Sequence, residues 1–185
     1  VSYLTQKTIK KNVIFSGGSI RGLSYIGCLK SLEEHDLVDG IQTYVGISIG
    51  SIMSTLIYLG FNSTELFQLM MAIKLDELKN IDADNIIDFF KHFGVDDGST
   101  FRKLIEVCIR KRGFKHDINF LEAYKIINKK LIIVGSCLNT QSADYFSWET
   151  TPEMKIVDAI MASISIPFYF TMKTYGEFSY GDGGL

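Results

Sequence analysis

Short β-prone runs alternate along the chain with segments of helical periodicity. NVIF at 12–15 predicts a strand that stops at the glycine-rich SGGSIRG at 16–22, and apolar residues at helical spacing follow it. IQTYV at 41–45 predicts a second strand, after which GISIG at 46–50 leads into the apolar SIMSTLIYLG at 51–60. Because this second helix has almost no polar face, we expect it to lie buried against a sheet.

The pattern from residue 63 to about 112 is helical throughout, which we interpret as a helical insert. STELFQLMMAI opens with a capping box, ADNIIDFFKHF is amphipathic, and STFRKLIEVCIRK begins with Ser99 or Thr100 as its cap. The apolar stripe of the middle segment fits core packing better than an acyl-chain groove or a membrane contact. That stripe consists of Ile86, Ile87, Phe89, Phe90 and Phe93.

The second half of the chain contains the clearest strand, KLIIVGSCL at 130–138, whose continuous β-branched run is typical of a central strand covered on both faces. SADYFSW at 142–148 is expected to pair with it. MKIVDAIMASISI predicts a helix that Pro167 ends, and FSYGDGG a last short strand and turn. Alternating strands and helices predict an α/β fold with a largely parallel sheet, helices on both faces, and a single domain over residues 1–185.

Composition removes several classes of function. A formal net charge of -2 gives no broad positive field, so we expect no nucleic-acid partner. No apolar run approaches the roughly 18 residues that span a bilayer, which predicts a soluble, cytoplasmic protein. Cys28, Cys108 and Cys137 lie in apolar stretches and predict buried thiols rather than a metal cluster. The basic run RKRGFK is interpreted as a helix end in preference to an anionic-lipid contact.

GISIG matches the pattern Gly-x-Ser-x-Gly, and its place between a strand and a buried helix predicts a nucleophile elbow. Such an elbow forces Ser48 into a strained backbone conformation, and Gly46 and Gly50 remove side chains that would collide around it. The helix that follows directs its positive end and free N–H groups at the anion formed when Ser48 attacks a carbonyl. The alternative is a turn of small residues with no catalytic role.

SGGSIRG occupies the first strand-to-helix turn, where successive N–H groups can bind negative charge. A Walker phosphate loop is excluded because Gly22 is followed by Leu23 instead of lysine, and Ser19 at the third position weakens a dinucleotide fingerprint. An oxyanion hole needs only donors, which Gly17, Gly18 and Ser19 supply. Arg21 is interpreted as bracing this loop in preference to meeting a lipid phosphate.

The serine needs a base. His35, His92 and His116 each lie among charged residues, and we interpret all three as surface histidines. Asp182 follows a short strand and precedes two glycines, at the sheet edge where the elbow is also expected to emerge. It is therefore the better candidate for a Ser-Asp dyad, with a plain Asp-Gly turn as the alternative.

Together these segments resemble the patatin-like phospholipases, which carry a glycine-rich loop with a basic residue, then Gly-x-Ser-x-Gly, then Asp-Gly-[Gly/Ala]. Here they read SGGSIRGLSYIGCLKSLEE, YVGISIGS and YGDGGL, and KKLIIVGSCLNT and YFSWETTPEMKIVDAIMASISIPFYF also resemble the family. The resemblance implies a three-layer α/β/α fold and a phospholipase A-type or general ester hydrolase acting on acyl lipids without a metal or organic cofactor. It makes Ser48 the nucleophile, Asp182 the base, and Gly17, Gly18 and Ser19 the oxyanion loop, which Arg21 and Gly22 support.

The chain departs from the family in two ways. Ser19 stands where a third glycine is common, which should leave its N–H available. Patatin-like domains usually continue beyond the Asp-Gly-Gly, so we expect further residues to hold Asp182 in a complete domain and the 185 residues to be less active without them. Two other functions stay open at this point: an inactive lipid-binding relative in contact with membranes, and a nucleotide-binding module that uses SGGSIRG.

Overall fold

One sheet of six strands organises the part of the chain that the computed structural model describes, residues 11–72, 99–166 and 173–185. The strands are β1 (Asn12–Phe15), β2 (Thr43–Ile47), β3 (Lys130–Cys137), β4 (Ser142–Phe146), β5 (Lys173–Tyr175) and β6 (Phe178–Gly181). The strand order is β1-β2-β3-β6-β5, and β4 also pairs with β3.

The sheet is mixed. β1, β2 and β3 are parallel to one another, as strand–helix–strand connections require, whereas β4 and β6 both run antiparallel to β3, and β5 runs antiparallel to β6. The predicted α/β class and the central place of β3 are confirmed. The antiparallel part arises because β4 follows β3 through a short turn and β5 and β6 form a hairpin at Gly176.

Six α-helices and one 3₁₀ helix accompany this sheet within the described residues. The 3₁₀ helix spans Ser19–Leu23, and the α-helices are α1 (Ser24–Glu34), α2 (Ile49–Tyr58), α3 (Ser63–Ala72), α4 (Ser99–Lys111), α5 (Phe120–Ile127) and α6 (Ile156–Ser163). The buried helix α2 packs against β1, β2 and β3, and α6 packs against β3, β5 and β6.

The core follows directly from the apolar runs. Most side chains of α2 are buried, as its lack of a polar face predicts, and α6 is buried along almost its whole length. Both helices therefore have fixed ends, which matters because α2 begins at the residue after Ser48 and α6 ends at Ser163. The largest fully buried side chains include Tyr44, Phe120, Phe146, Leu29, Ile109, Ile133, Met154 and Ile160.

Several element boundaries differ from the sequence prediction. The second strand begins at Thr43 instead of residue 41, because the N–H of Ile41 closes a turn on the carbonyl of Val38 at 3.1 Å. The helix expected to run to Pro167 ends at Ser163, and Pro167 lies outside the described residues.

Two elements besides the 3₁₀ helix were not predicted. One is the short strand β5. The other is α5, although its sequence contains a reciprocal capping box between Asn119 and Glu122.

The prediction of three buried thiols is wrong for Cys28. Cys108 and Cys137 are buried, but Cys28 lies on an exposed part of α1. Leu29 is the only fully buried residue of α1, so most of this helix faces solvent. The apolar residues next to Cys28 in the sequence therefore do not imply that its thiol is buried. No group of three or more residues able to hold a metal occurs in residues 11–72, 99–166 and 173–185.

The ends of the predicted insert are helical, as α3 and α4, while its middle segment with the Ile86–Phe93 stripe lies outside the described residues. RKRGFK is indeed a helix end, with Arg110 and Lys111 in the last turn of α4. Arg112 then forms an ion pair with Glu65 and stacks its guanidinium 4.1 Å from the ring centre of Phe61. This contact fixes the end of α4 to the beginning of α3.

Glu65 makes the stability of this junction pH-dependent. A hydrogen bond from the backbone N–H of Asn62, and then the Arg112 side chain, hold the pKa of Glu65 below its ordinary value of 4.5. A carboxyl with a lowered pKa stabilises the fold above its unfolded pKa, and that contribution is lost as the pH falls through the folded pKa. Glu65→Gln should therefore lower the melting temperature at pH 7 by roughly 2–4 °C, the shift expected from about 1 kcal/mol in a domain of this size.

Thermal unfolding followed by circular dichroism between pH 3 and 7 checks this expectation. The difference between wild type and Glu65→Gln should shrink below pH 4.5. The matched control is Glu34→Gln, which removes an exposed ion pair with Lys30 at 4.0 Å and should leave the melting temperature unchanged. Equal effects of the two substitutions, or a difference independent of pH, would contradict the assignment.

Candidate active site

Ser48 lies on a tight turn between β2, which ends at Ile47, and α2, which begins at Ile49. Its backbone has φ 54° and ψ -129°, a conformation that non-glycine residues rarely adopt. Close packing requires the flanking glycines. A Cβ at Gly46 would lie 2.2 Å from Ser54 Oγ, and one at Gly50 would lie 2.2 Å from the carbonyl oxygen of Phe15. The turn therefore has the geometry of a nucleophile elbow.

The glycine-rich loop lies directly against this turn. A Cβ at Gly17 would be 3.3 Å from Ser48 Cβ and 3.9 Å from Ser48 Oγ, so the loop backbone reaches the hydroxyl without a side chain between them. Gly22 packs on the first residue of α2, since a Cβ there would be 2.6 Å from Ile49 Cγ1. The Tyr25 hydroxyl donates to the carbonyl of Ser16 at 2.9 Å and ties the loop to α1.

The loop continues into a 3₁₀ helix, not directly into an α-helix. The N–H of Arg21 donates to the carbonyl of Gly18 at 3.0 Å, and Ser19 adopts a positive φ of 50°. The Arg21 side chain is exposed, and no carboxylate in the described part of the chain forms an ion pair with it. The described residues therefore offer no salt bridge through which Arg21 could brace the loop.

Asp182 follows the last residue of β6 and is 8% exposed. Its Oδ1 accepts a hydrogen bond from the N–H of Gly184 at 2.8 Å. Its Oδ2 is buried and has no hydrogen-bond partner among the described residues. A buried carboxylate oxygen normally has a partner, so this atom is available to a group in the site.

Strand register brings the turn of Asp182 to the elbow. β4 pairs along one edge of β3 from Ile133 to Cys137, so β2 and β6 must share the other edge. On that edge Ile47 pairs with Val134 and Gly181 pairs with Ser136, so the ends of β2 and β6 meet at β3. A Cβ at Gly183 would lie 3.1 Å from Ile47 Cγ2, which confirms that the residues beside Ser48 and Asp182 touch.

Two serines that sequence reasoning left without a role complete the arrangement. Ser163 Oγ accepts from the N–H of Ser48 at 2.9 Å, and the carbonyl of Ser163 accepts from the N–H of Gly183 at 3.1 Å. The carbonyl of Ser165 accepts from the N–H of Asp182 at 2.7 Å. The signal in the sequence is a pair of hydroxyls in an otherwise apolar helix end, a pattern typical of buried hydrogen bonding, within a segment that also carries the family resemblance.

Tyr180 anchors the strand that carries Asp182. Its O–H donates to Asp144 Oδ2 on β4 at 2.9 Å. Burial, and then this hydrogen bond and the charge of Asp144, raise the pKa of Tyr180, so its hydroxyl stays protonated at neutral pH. Tyr180 thus serves as a donor in the support of β6.

The histidines lie elsewhere in the described residues. His35 is exposed at the end of α1, where its Nδ1 lies 2.8 Å from the carbonyl of Ser31, and His116 is also exposed. Both match the predicted surface histidines, while His92 lies outside the described residues.

Among the helices of the described residues, none combines the length and the apolar character that a membrane span needs.

Comparison with known sequences identifies the family that the sequence motifs resemble, over almost the whole chain. The patatin-like phospholipase family model matches residues 13–185. A probable lipid hydrolase of Invertebrate iridescent virus 6 is 30% identical over 177 residues, 95% of this chain and 60% of that protein. An uncharacterized protein of Acanthamoeba polyphaga mimivirus is 32% identical over 175 residues, 94% of this chain and 58% of that protein. The chain thus spans less than two thirds of the length of these relatives.

Solved structures show the same fold. VipD from Legionella pneumophila is similar with a TM-score of 0.67 and 14% identity, over 96% of this chain and 46% of that one. ExoU from Pseudomonas aeruginosa, solved in complex with SpcU, has a TM-score of 0.61 and 19% identity, over 87% of this chain and 39% of that one. At these identities the likeness concerns the fold, and the expected α/β architecture is confirmed.

Proposed function

The chain belongs to the patatin-like phospholipase family, and on that premise we propose that it is a lipid acyl hydrolase with Ser48 as nucleophile and Asp182 as base. The observation that carries this proposal is the meeting of three segments distant in sequence. Gly17 lies against Ser48, and the turn of Asp182 lies against Ile47. A purely structural turn at residues 46–50 has no need of a nearby aspartate whose buried Oδ2 lacks a hydrogen-bond partner among the described residues.

The first half of the reaction forms an acyl-enzyme. Ser48 Oγ attacks the ester carbonyl carbon while its proton passes to Asp182 Oδ2, the carboxylate oxygen that has no partner within the described part of the chain. Gly184 holds the other oxygen, Oδ1, and so fixes the orientation of the carboxylate. When the tetrahedral intermediate collapses, the bond to the alcohol oxygen breaks, and the alcohol leaves with the proton from Asp182.

The second half releases the fatty acid. Asp182 removes a proton from water, the water oxygen bonds to the acyl carbon, and Ser48 leaves with that proton. The protein returns to its starting state without a change of oxidation state. This chemistry requires no metal or organic cofactor.

The choice of oxyanion donors depends on which N–H groups near Ser48 already have a hydrogen-bond partner. The N–H of Ser48 is bound to Ser163 Oγ, so it is not directed at a substrate. Gly17 lies nearest to Ser48 Oγ of the loop glycines, so we assign the oxyanion to the N–H groups of Gly17, Gly18 and Ser19, together with the N-terminal end of α2. Because an aspartate is a weaker base than a histidine, these donors must supply a large part of the transition-state stabilisation.

The substrate is proposed to be a phospholipid or another acyl lipid, which the protein would meet by transient contact at a membrane or micelle surface. Product analysis tests this most broadly. The protein is incubated with phospholipid vesicles, emulsified triglyceride and a short-chain ester, and released fatty acid is measured by mass spectrometry. Fatty acid release from a lipid supports the proposal. Lipid binding without release would instead indicate an inactive lipid-binding relative, and thermal stabilisation by ATP or NAD without release would indicate a nucleotide-binding module.

The assignment of Asp182 as the base gives a separate expectation. Replacement of His35, His92 and His116 together by glutamine should leave kcat within about threefold of wild type, since neither described histidine takes part in the site. Steady-state hydrolysis of a chromogenic ester measures this, with circular dichroism to show that the triple variant is folded. A folded variant without turnover would require a Ser-His-Asp mechanism.

A further inference from the structure

Ser163 is the residue through which the nucleophile and the aspartate turn are joined. Its side chain is 0% exposed. Its hydroxyl accepts the N–H of Ser48 at 2.9 Å and donates to the carbonyl of Val134 on β3 at 2.6 Å. A serine hydroxyl has one donor, and here donor and acceptor are both used, so its orientation is fixed.

The main chain of the same residue holds the other half of the site. The carbonyl of Ser163 accepts the N–H of Gly183 at 3.1 Å, one residue beyond Asp182. Its position is itself determined by α6, which is buried along almost its whole length and ends at Ser163. A displacement of Ser163 would therefore move Ser48 and Asp182 relative to each other.

The hydroxyl also explains how the elbow keeps its conformation. Ser48 has a positive φ of 54°, which costs free energy for a residue with a Cβ. Ser51 holds the carbonyl of Ser48 through its N–H at 2.8 Å and its Oγ at 2.6 Å. Ser163 supplies the matching bond on the N–H side. Without it, the buried N–H of Ser48 loses its hydrogen bond and the carbonyl of Val134 loses the one from Ser163, which favours a change in the backbone conformation of the elbow.

We propose that Ser163 is a positioning residue: its hydroxyl fixes the backbone of Ser48, and its carbonyl fixes the turn that carries Asp182. It also keeps the Ser48 N–H out of the oxyanion site, which leaves that site to the glycine-rich loop. This inference rests on the function proposed above. It assigns Ser163 an effect on the rate of acylation and none on lipid binding, since the side chain is buried and does not face the substrate.

Ser163→Ala tests the proposal, with Ser147→Ala as the matched control. Ser147 is also buried, and its hydroxyl accepts from the N–H of Glu149 at 3.3 Å, but it follows the last residue of β4 and makes no bond to Ser48. Ser163→Ala should lower kcat by about 10- to 100-fold with KM within about twofold, the scale on which small misplacements of reacting groups act. Ser147→Ala should keep kcat within about threefold. Ser163→Cys, with a weaker acceptor of similar size, should fall between Ser163→Ala and wild type.

Hydrogen exchange of the Ser48 amide gives a readout that general destabilisation does not move. In wild type this N–H should exchange slowly, and in Ser163→Ala it should exchange faster by a larger factor than the amides of β3. If Ser163→Ala does not fold, the same comparison is made with Ser163→Cys, and fast exchange of the Ser48 amide in wild type overturns the proposal by itself. Wild-type kcat in folded Ser163→Ala, or equal losses in Ser163→Ala and Ser147→Ala, also overturn it.

The two proposals fail in different ways. If wild type does not react with a fluorophosphonate at Ser48, the proposed function fails, whatever the exchange of the Ser48 amide shows. If wild type reacts and Ser163→Ala reacts at the same rate, the proposed hydrolase function is retained and the positioning role proposed for Ser163 is wrong.

Discussion

Ser48→Ala is expected to lower lipid ester hydrolysis by at least about 10⁴-fold, because the hydroxyl forms the bond to the acyl carbon and nothing else at the elbow can do so. The backbone strain is the same for serine and alanine, since both carry a Cβ at φ 54°. The bonds of Ser48 to Ser163 and Ser51 involve only its N–H and carbonyl and are retained. The variant should therefore fold like wild type.

The measurement is fatty acid release from phospholipid vesicles, with circular dichroism to verify the fold. Ser147→Ala again serves as control: this buried serine follows β4, and its replacement should keep activity close to wild type. Residual activity of Ser48→Ala above about one hundredth of wild type would mean that another group attacks the ester, and the nucleophile assignment would be wrong.

Asp182→Asn is expected to lower kcat by at least about 10³-fold while the protein stays folded. The amide has nearly the shape of the carboxylate, so its oxygen can still accept from the N–H of Gly184, and the main-chain bond to Ser165 is unaffected. What is lost is the basic Oδ2, which is buried and has no partner among the described residues. A neutral amide cannot take the Ser48 proton.

Asp144→Asn is the matched control for this substitution. Asp144 is an aspartate on the neighbouring strand β4, and its carboxylate accepts from Tyr180, so its replacement should affect stability but leave turnover within about threefold. Pre-steady-state kinetics with a chromogenic ester separate acylation from deacylation in each variant. Unchanged acylation and deacylation rates in Asp182→Asn would contradict the dyad.

Much of this site could be predicted from the sequence because its parts are local. Five consecutive residues determine the elbow: Gly46 and Gly50 have no room for a Cβ, and Ser48 lies between a strand and an apolar helix. The same holds for β3, whose β-branched run marks a central strand. Local pattern also identified Asp182 as the residue after a short strand, but not the neighbour on which its turn packs.

Contacts between distant residues could not be predicted in this way. Ser48 and Ser163 are 115 residues apart, and their hydrogen bond depends on where a buried helix ends against the sheet. That same end was predicted too late in the chain, because Pro167 is a stronger local signal than a hydroxyl whose partners lie on other elements. Cys28 was predicted to be buried but is exposed, since apolar neighbours in sequence do not decide which side of α1 faces solvent.

The most direct test of the central claim is to find where the acyl group is attached. The protein is mixed with a chromogenic long-chain ester, quenched in acid during the first turnover, digested, and analysed by mass spectrometry. We predict an acyl group on the peptide that contains Ser48, which accumulates in wild type and is absent from Ser48→Ala. Turnover with an acyl group on another residue, or with no acyl-enzyme at any time, would contradict the account.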